Sequence, residues 1–289
     1  MSSERPYAIM GVVNVTPDSF SDGGAFDDPV DAVAQGRRLA SEGAAILDIG
    51  GESTRPGAEP VPAGEELRRV VPVIKALAAL RLPVQISIDT MKLAVAEAAV
   101  DAGATYVNDV TAFRHDPELA GLVAARGLDC CLMHMLGEPR TMQRDPRYAD
   151  VVSDVKAFLE ERMNAAVAAG VAEERIQLDP GIGFGKTVEH NLELIRRLDE
   201  LADLGRPIVI GTSRKSFLGR ITGRDVTERV HGTTATCVLA LERGARVFRV
   251  HDVADVADAL AVAAATLAAG RLAGSWPATT ARTSRTRTT

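Results

Sequence analysis

Eight short runs rich in Val and Ile recur along the 289 residues, at positions 7–13, 44–49, 84–88, 105–107, 129–133, 176–178, 207–210 and 246–250. The segments between them carry apolar residues at three- and four-residue spacing. Leu67, Val70, Val71, Ile74, Leu77 and Ala78, for example, line one face of a helix. Seven of the eight helical segments are followed by a glycine (Gly43, Gly103, Gly127, Gly170, Gly205, Gly244, Gly270), which takes the left-handed conformation that closes a helix. The second stops at Leu82-Pro83 instead. Strand–helix alternation sustained over this length leaves few architectures. A single (β/α)8 TIM barrel is expected over residues 1–274, with a doubly wound open sheet as the alternative. Residues 275–289, rich in Thr and Arg and without periodicity, are expected to form a disordered tail.

Charge narrows the partners. The chain holds 33 Lys+Arg and 39 Asp+Glu, a net of −6. Residues 271–289 contribute four arginines and no acid, so the rest carries −10. An acidic body with eleven aromatic residues offers neither the basic footprint nor the stacking surface of a nucleic-acid binder. The longest nearly unbroken apolar stretch, 260–269, has ten residues including Thr266, about half of what a membrane-spanning helix needs. The polar first six residues do not read as a signal peptide. Cys130, Cys131 and Cys237 lie in apolar segments without metal-type spacing, which suits buried, reduced thiols in a cytoplasmic protein.

In a barrel of this kind the C-terminal strand ends converge on one mouth. Here they read Asn14, Gly50 to Arg55, Asp89, Asn108-Asp109, His134, Asp179, Ser213 to Ser216 and Arg249-Val250-His251. Arg55, Arg249 and His251 are donors suited to a phosphate. Asp89, Asn108 and Asp179 could read the edge of a flat heterocycle, and Lys215 is one of only five lysines. The residue types point to a small anionic substrate with a ring and a phosphate, without naming the reaction. Gly181-Ile182-Gly183-Phe184-Gly185-Lys186-Thr187 is similar to a nucleotide phosphate loop. That motif needs a glycine at position 180, which is Pro180, and a turn lying close to a ligand is the better use of these glycines. His134 and His251 have no close-spaced partner, and no built-in zinc site is expected.

The strand ends also carry longer signatures. They are Gly11-Val12-Val13-Asn14-Val15-Thr16-Pro17-Asp18-Ser19-Phe20, Asp48-Ile49-Gly50-Gly51-Glu52-Ser53-Thr54-Arg55-Pro56-Gly57, Ser87-Ile88-Asp89-Thr90, Met133-His134-Met135, Leu178-Asp179-Pro180-Gly181, Ser213-Arg214-Lys215-Ser216 and Arg249-Val250-His251-Asp252. In these stretches and their order the chain resembles the dihydropteroate synthase family, folate-pathway enzymes that join a pterin to p-aminobenzoate.

The resemblance implies a reaction between 6-hydroxymethyl-7,8-dihydropterin pyrophosphate and p-aminobenzoate, releasing pyrophosphate. It implies that Asn14 holds a Mg²⁺ on the pyrophosphate, which Arg55, Arg249 and His251 grip. Asp89, Asn108, Asp179 and Lys215 would contact the pterin, with Met133 against its face. Thr54, Pro56, Phe184 and Ser216 would bound the p-aminobenzoate pocket, where sulfonamides compete. Loops carrying Phe20 and Asp22 would close over both substrates. Asp89, Asp179, Lys215, Arg249 and His251 are the expected catalytic set. A homodimer is implied, with the apolar last helix as one possible face. His134 reads equally as scaffold or ligand contact. Leu136 and Thr111-Ala112-Phe113-Arg114 depart from the family pattern beside the mouth. A methyltetrahydrofolate:corrinoid methyltransferase-like barrel and a non-catalytic pterin-binding paralogue remain the alternatives.

Overall fold

The computed structural model describes residues 6–16, 29–54, 57–138 and 140–273. Eight parallel strands close into a barrel in sequence order: β1 (Ala8–Asn14), β2 (Ile46–Gly50), β3 (Gln85–Asp89), β4 (Tyr106–Asp109), β5 (Asp129–Met133), β6 (Ile176–Asp179), β7 (Ile208–Ile210) and β8 (Ala245–Val250). The expected barrel is therefore present and the open sheet is excluded. Five of the strands run at least one residue past the apolar run that marked them, so that Asn14, Gly50, Asp89, Asp109 and Asp179 are themselves strand residues.

The helices are α1 (Pro29–Ser41), α2 (Ala63–Ala79), α3 (Leu93–Ala102), α4 (Glu118–Arg126), α5 (Val151–Ala168), α6 (Val188–Arg196), α7 (Leu198–Ala202), α8 (Ser216–Thr222), α9 (Val230–Glu242) and α10 (Val253–Ala273). The sixth expected segment divides at Arg197, and the seventh divides after Gly223, so the described residues hold ten α-helices rather than eight. Gly43, Gly103, Gly127, Gly170, Gly205 and Gly244 all adopt positive φ, as expected. Two ends differ. The last helix continues through Gly270 to Ala273, and α2 stops at Ala79, with Arg81 at φ 49, before Leu82-Pro83 is reached. The tail at 275–289 lies outside the described residues.

Period-two alternation sorts the strand side chains into two cores. Leu47, Ile49, Ile88, Val107, Leu132, Leu178 and Ile210 belong to the cluster shared with helix residues such as Leu39, Ile74, Leu77, Leu159 and Val256. The complementary positions Met10, Ile46, Tyr106, Cys131, Val209 and Val247 form a separate plug inside the barrel. One step further along β2 and β4 stand Asp48 and Asn108, with Ser87 level with Asp48 on the intervening β3, and all three are buried and polar. The interior thus changes from apolar to hydrogen-bonding within one side-chain layer, and that change sets the floor of the mouth. All three cysteines are free and buried, and burial pushes the Cys130 and Cys237 thiols up to about 12.

Candidate active site

The floor is organised by a residue that is not at a strand end. Asp48, in the middle of β2 and fully buried, accepts hydrogen bonds from Ser87 Oγ (2.6 Å), Asn108 Nδ2 (3.0 Å) and Arg249 Nε (2.6 Å). Arg249 also donates from Nη2 to Asp89 Oδ2 at 2.6 Å, so its guanidinium bridges two carboxylates on neighbouring strands. Two of its donor nitrogens, expected on a phosphate, are committed to the floor in this state. The strand register explains the arrangement. Asn14, Gly50, Asp89 and Asn108 are successive partners across β1 to β4, and Arg249 is paired lower, with Met10.

The opposite wall comes from β6 and β7. Asp179 Oδ1 accepts from the Gly181 backbone N–H at 2.6 Å. The Lys215 ammonium lies 4.6 Å from the centre of the Phe184 ring and donates to the Ile182 carbonyl. Gly211 is the common neighbour of this wall. A Cβ there would lie 3.7 Å from Lys215 Nζ and 4.0 Å from both Asp179 Oδ2 and Arg249 Cβ. Met133 is buried with Val110, Met135 and Met142, and Phe184 packs against that cluster. Ser213 Oγ sits 2.9 Å from His251 Nδ1, fixing the ring beside the end of β8. Ser216 is exposed at the first turn of α8. Asn14 and Thr54 are partly buried at the ends of β1 and the β2 loop. Phe20, Asp22, Arg55 and Pro56 lie outside the described residues.

The structure therefore brings Asp89, Asn108, Asp179, Lys215 and Arg249 together, with Met133 and Phe184 beside them. A pterin-binding enzyme family profile matches residues 10–251. The dihydropteroate synthase of Escherichia coli K12 is 44% identical over 261 residues, covering 90% of this chain and 92% of its own length. A Xanthomonas albilineans dihydropteroate synthase structure with 4-aminobenzoic acid superposes with a TM-score of 0.86 at 50% identity, covering 92% of this chain and 94% of that one. A Yersinia pestis dihydropteroate synthase structure with a sulfonamide drug gives 0.86 at 44% identity, over 91% and 94%.

The chain belongs to the dihydropteroate synthase family.

Several residues of this dihydropteroate synthase family member were not singled out from sequence. Asp48 is one, although an acid flanked by Leu47 and Ile49 in a buried strand must find partners inside the protein. Lys92 is another: it joins Glu52, on the β2 loop, to the fully buried Glu66 of α2. The third is Lys186, buried, with Nζ 2.9 Å from His134 Nδ1 and 3.0 Å from the Phe184 carbonyl. As an ammonium the lysine donates and His134 Nδ1 accepts. Burial, reinforced by Lys186, brings the His134 pKa down to about 2. Its ring packs edge-on against Phe158 at 4.8 Å. His134 is a neutral scaffold residue here. Asp109 accepts from the Thr111 and Phe113 backbone N–H groups, both at 2.7 Å, and shapes a turn in which Ala112 and Phe113 have positive φ. Arg114 donates to the Met135 carbonyl at 3.1 Å and lies over Phe158, which ties the divergent turn to the next loop.

Protonation of the floor is set by burial against charge. Burial raises Asp89 to about 7 despite the pull of Arg249, while Asp48 adds to the rise. Burial also raises Asp179, opposed chiefly by Lys215, and lowers Lys215 to about 8, opposed by Asp179. Burial disfavours the Arg249 charge, but Asp48 and Asp89 outweigh it and hold the guanidinium above its ordinary value. A carboxyl whose pKa rises from 3.8 to about 7 on folding binds more protons in the native than in the unfolded state. Its contribution to stability is complete below 3.8 and is lost as pH rises towards 7. Asp89→Asn should therefore flatten the fall in unfolding free energy between about pH 4 and 7, measured by urea titration. A slope unchanged from wild type would refute the assignment.

Proposed function

We propose that this protein condenses 6-hydroxymethyl-7,8-dihydropterin pyrophosphate with p-aminobenzoate to give 7,8-dihydropteroate and pyrophosphate. The observation that carries this reading is the floor itself: acids, an amide and two cations gathered at the C-terminal mouth over one buried carboxylate. Ionised Asp89 and Asp179 accept the N–H donors of the pterin ring, while Asn108 and Lys215 supply donors for its acceptors. Met133 packs on the ring face. Phe184, Thr54, Pro56 and Ser216 bound the aryl amine pocket, which a sulfonamide would contest.

The methylene C–O bond breaks, its electron pair leaving with pyrophosphate, and the amine nitrogen forms the new bond to that carbon before losing its proton. The acids around the ring favour positive charge on the pterin methylene, and Arg55, Arg249 and His251 stabilise the departing anion. For Arg249 this requires redirecting its guanidinium from Asp89, which would free that carboxylate for the ring at the same time. Departure of pyrophosphate before attack is the order we favour.

Mg²⁺ would supply further neutralisation of the leaving group, held by Asn14 and the substrate's own phosphate oxygens. The donor set suits such a transient site. Among the described residues no group of three or more His, Cys, Asp or Glu could hold a metal ion, and Asn14 offers one hard oxygen. Mg²⁺ commonly takes one or two protein ligands together with substrate phosphates. Chelation should stop turnover and weaken pterin pyrophosphate binding at least tenfold by calorimetry, leaving the pterin alcohol unaffected. Equal binding of the pyrophosphate with and without Mg²⁺ would refute the metal's role. Failure of wild type to form dihydropteroate from both substrates and Mg²⁺ would refute the function.

No helix among the described residues is long and apolar enough to cross a membrane. A cytoplasmic homodimer remains our expectation, supported by exposed Leu239 on α9 and Val262 on α10, two adjacent helices that leave apolar side chains in solvent.

A further inference from the structure

The loop from Gly181 to Thr187 is held almost atom by atom. Its carbonyls accept from four side chains: Ile182 from Lys215, Gly183 from Gln143, Phe184 from Lys186 and Gly185 from Tyr148. Of these four donors, Lys186 alone is fully enclosed by the protein, a buried amine rather than an exposed or half-buried side chain. Burying an ammonium costs several kcal/mol unless its partners compensate, and a side chain serving only to fill space here would be better apolar. Burial and the nearby Lys215 do hold the Lys186 pKa well below its ordinary value, with Asp179 opposing.

What Lys186 holds is specific. Its Nζ reaches one backbone atom, the Phe184 carbonyl, and one ring atom, His134 Nδ1. The His134 ring is itself wedged against Phe158, and its backbone N–H bonds the Asp179 carbonyl at 2.9 Å. Lys186 is thus a strut between the rigid end of β5 and the one residue of the loop whose ring lies beneath Lys215. We propose that Lys186 is a positioning residue for the aryl amine half of the site, acting through Phe184.

This inference rests on the proposed reaction, and the test separates the two. Wild type without dihydropteroate synthase activity sinks the reaction itself. With active wild type, Lys186→Met should raise the KM for p-aminobenzoate about tenfold and change the KM for pterin pyrophosphate by less than about twofold. Phe184→Leu should do the same. In the double variant the two effects should not multiply, because both remove one arrangement. Multiplicative effects, an equal rise in both KM values, or an unchanged p-aminobenzoate KM would each overturn the proposal. If Lys186→Met does not fold, Lys186→Gln enters the same cycle. Failure of both to fold would make Lys186 a residue of the fold alone and overturn the proposal as well.

Discussion

Lys215→Ala is expected to lower kcat/KM by about 10²–10³-fold, the range found when one preorganised donor is removed from a water-poor site. Two groups change with this one side chain. The ammonium that rests on the Ile182 carbonyl and the Phe184 ring is lost, and with it a donor to the heterocycle. Asp179 also loses the cation that chiefly opposes its upward shift, so less of it is ionised at neutral pH. The pH profile separates the two effects. In wild type the limb assigned to Lys215 should fall as pH rises through about 8, and the variant should lack it. A variant retaining that limb would show that another group titrates there, and a loss below tenfold would remove Lys215 from the catalytic set.

Asp48→Ala carries the second large effect, on stability as well as rate. Asp48 is fully buried, and its carboxylate is the acceptor for Ser87, Asn108 and Arg249 together. Truncation leaves a partly buried guanidinium short of one partner and a buried hydroxyl and amide without their acceptor. Breaking a buried ion pair from one side costs about 3–5 kcal/mol, a large share of the ~5–15 kcal/mol that holds a typical domain. Asp48→Asn keeps an oxygen for one or two of the three donors and should lose less. Urea unfolding of both variants gives the ordering. Equal stability of Asp48→Ala and wild type would mean that the hub organises nothing.

The barrel was legible because its signal is repetitive: eight apolar runs, each answered by a helix pattern and most of them by a glycine. The positions of Asp89, Asn108 and Asp179 followed from knowing which end of each strand faces the mouth. Asp48 was hidden inside an apolar run, where strand parity, not strand end, decides direction. Lys186 stood in a glycine-rich motif that was set aside as a phosphate loop, and nothing in the spacing points its side chain towards His134. Sequence places Arg249 at the mouth but not its two carboxylate partners, because those contacts depend on the stagger that seats Arg249 level with Met10. The division of the sixth and seventh helical segments was likewise invisible to a periodicity that ran on through both.

The loop between β6 and α6 is backed so closely onto the segment after β5 that a Cβ at Gly181 would stand 1.8 Å from the His134 carbonyl oxygen, and one at Gly185 2.8 Å from that of Leu136. These two stretches, 47 and 49 residues apart in the chain at the two contacts, are cast against each other with no room for a methyl group. They consequently form a single unit of inheritance. A recombination between relatives that joins residues 134–137 of one parent to residues 181–187 of another tests a surface match that neither parent was selected for. Crossovers outside this pair leave the match whole.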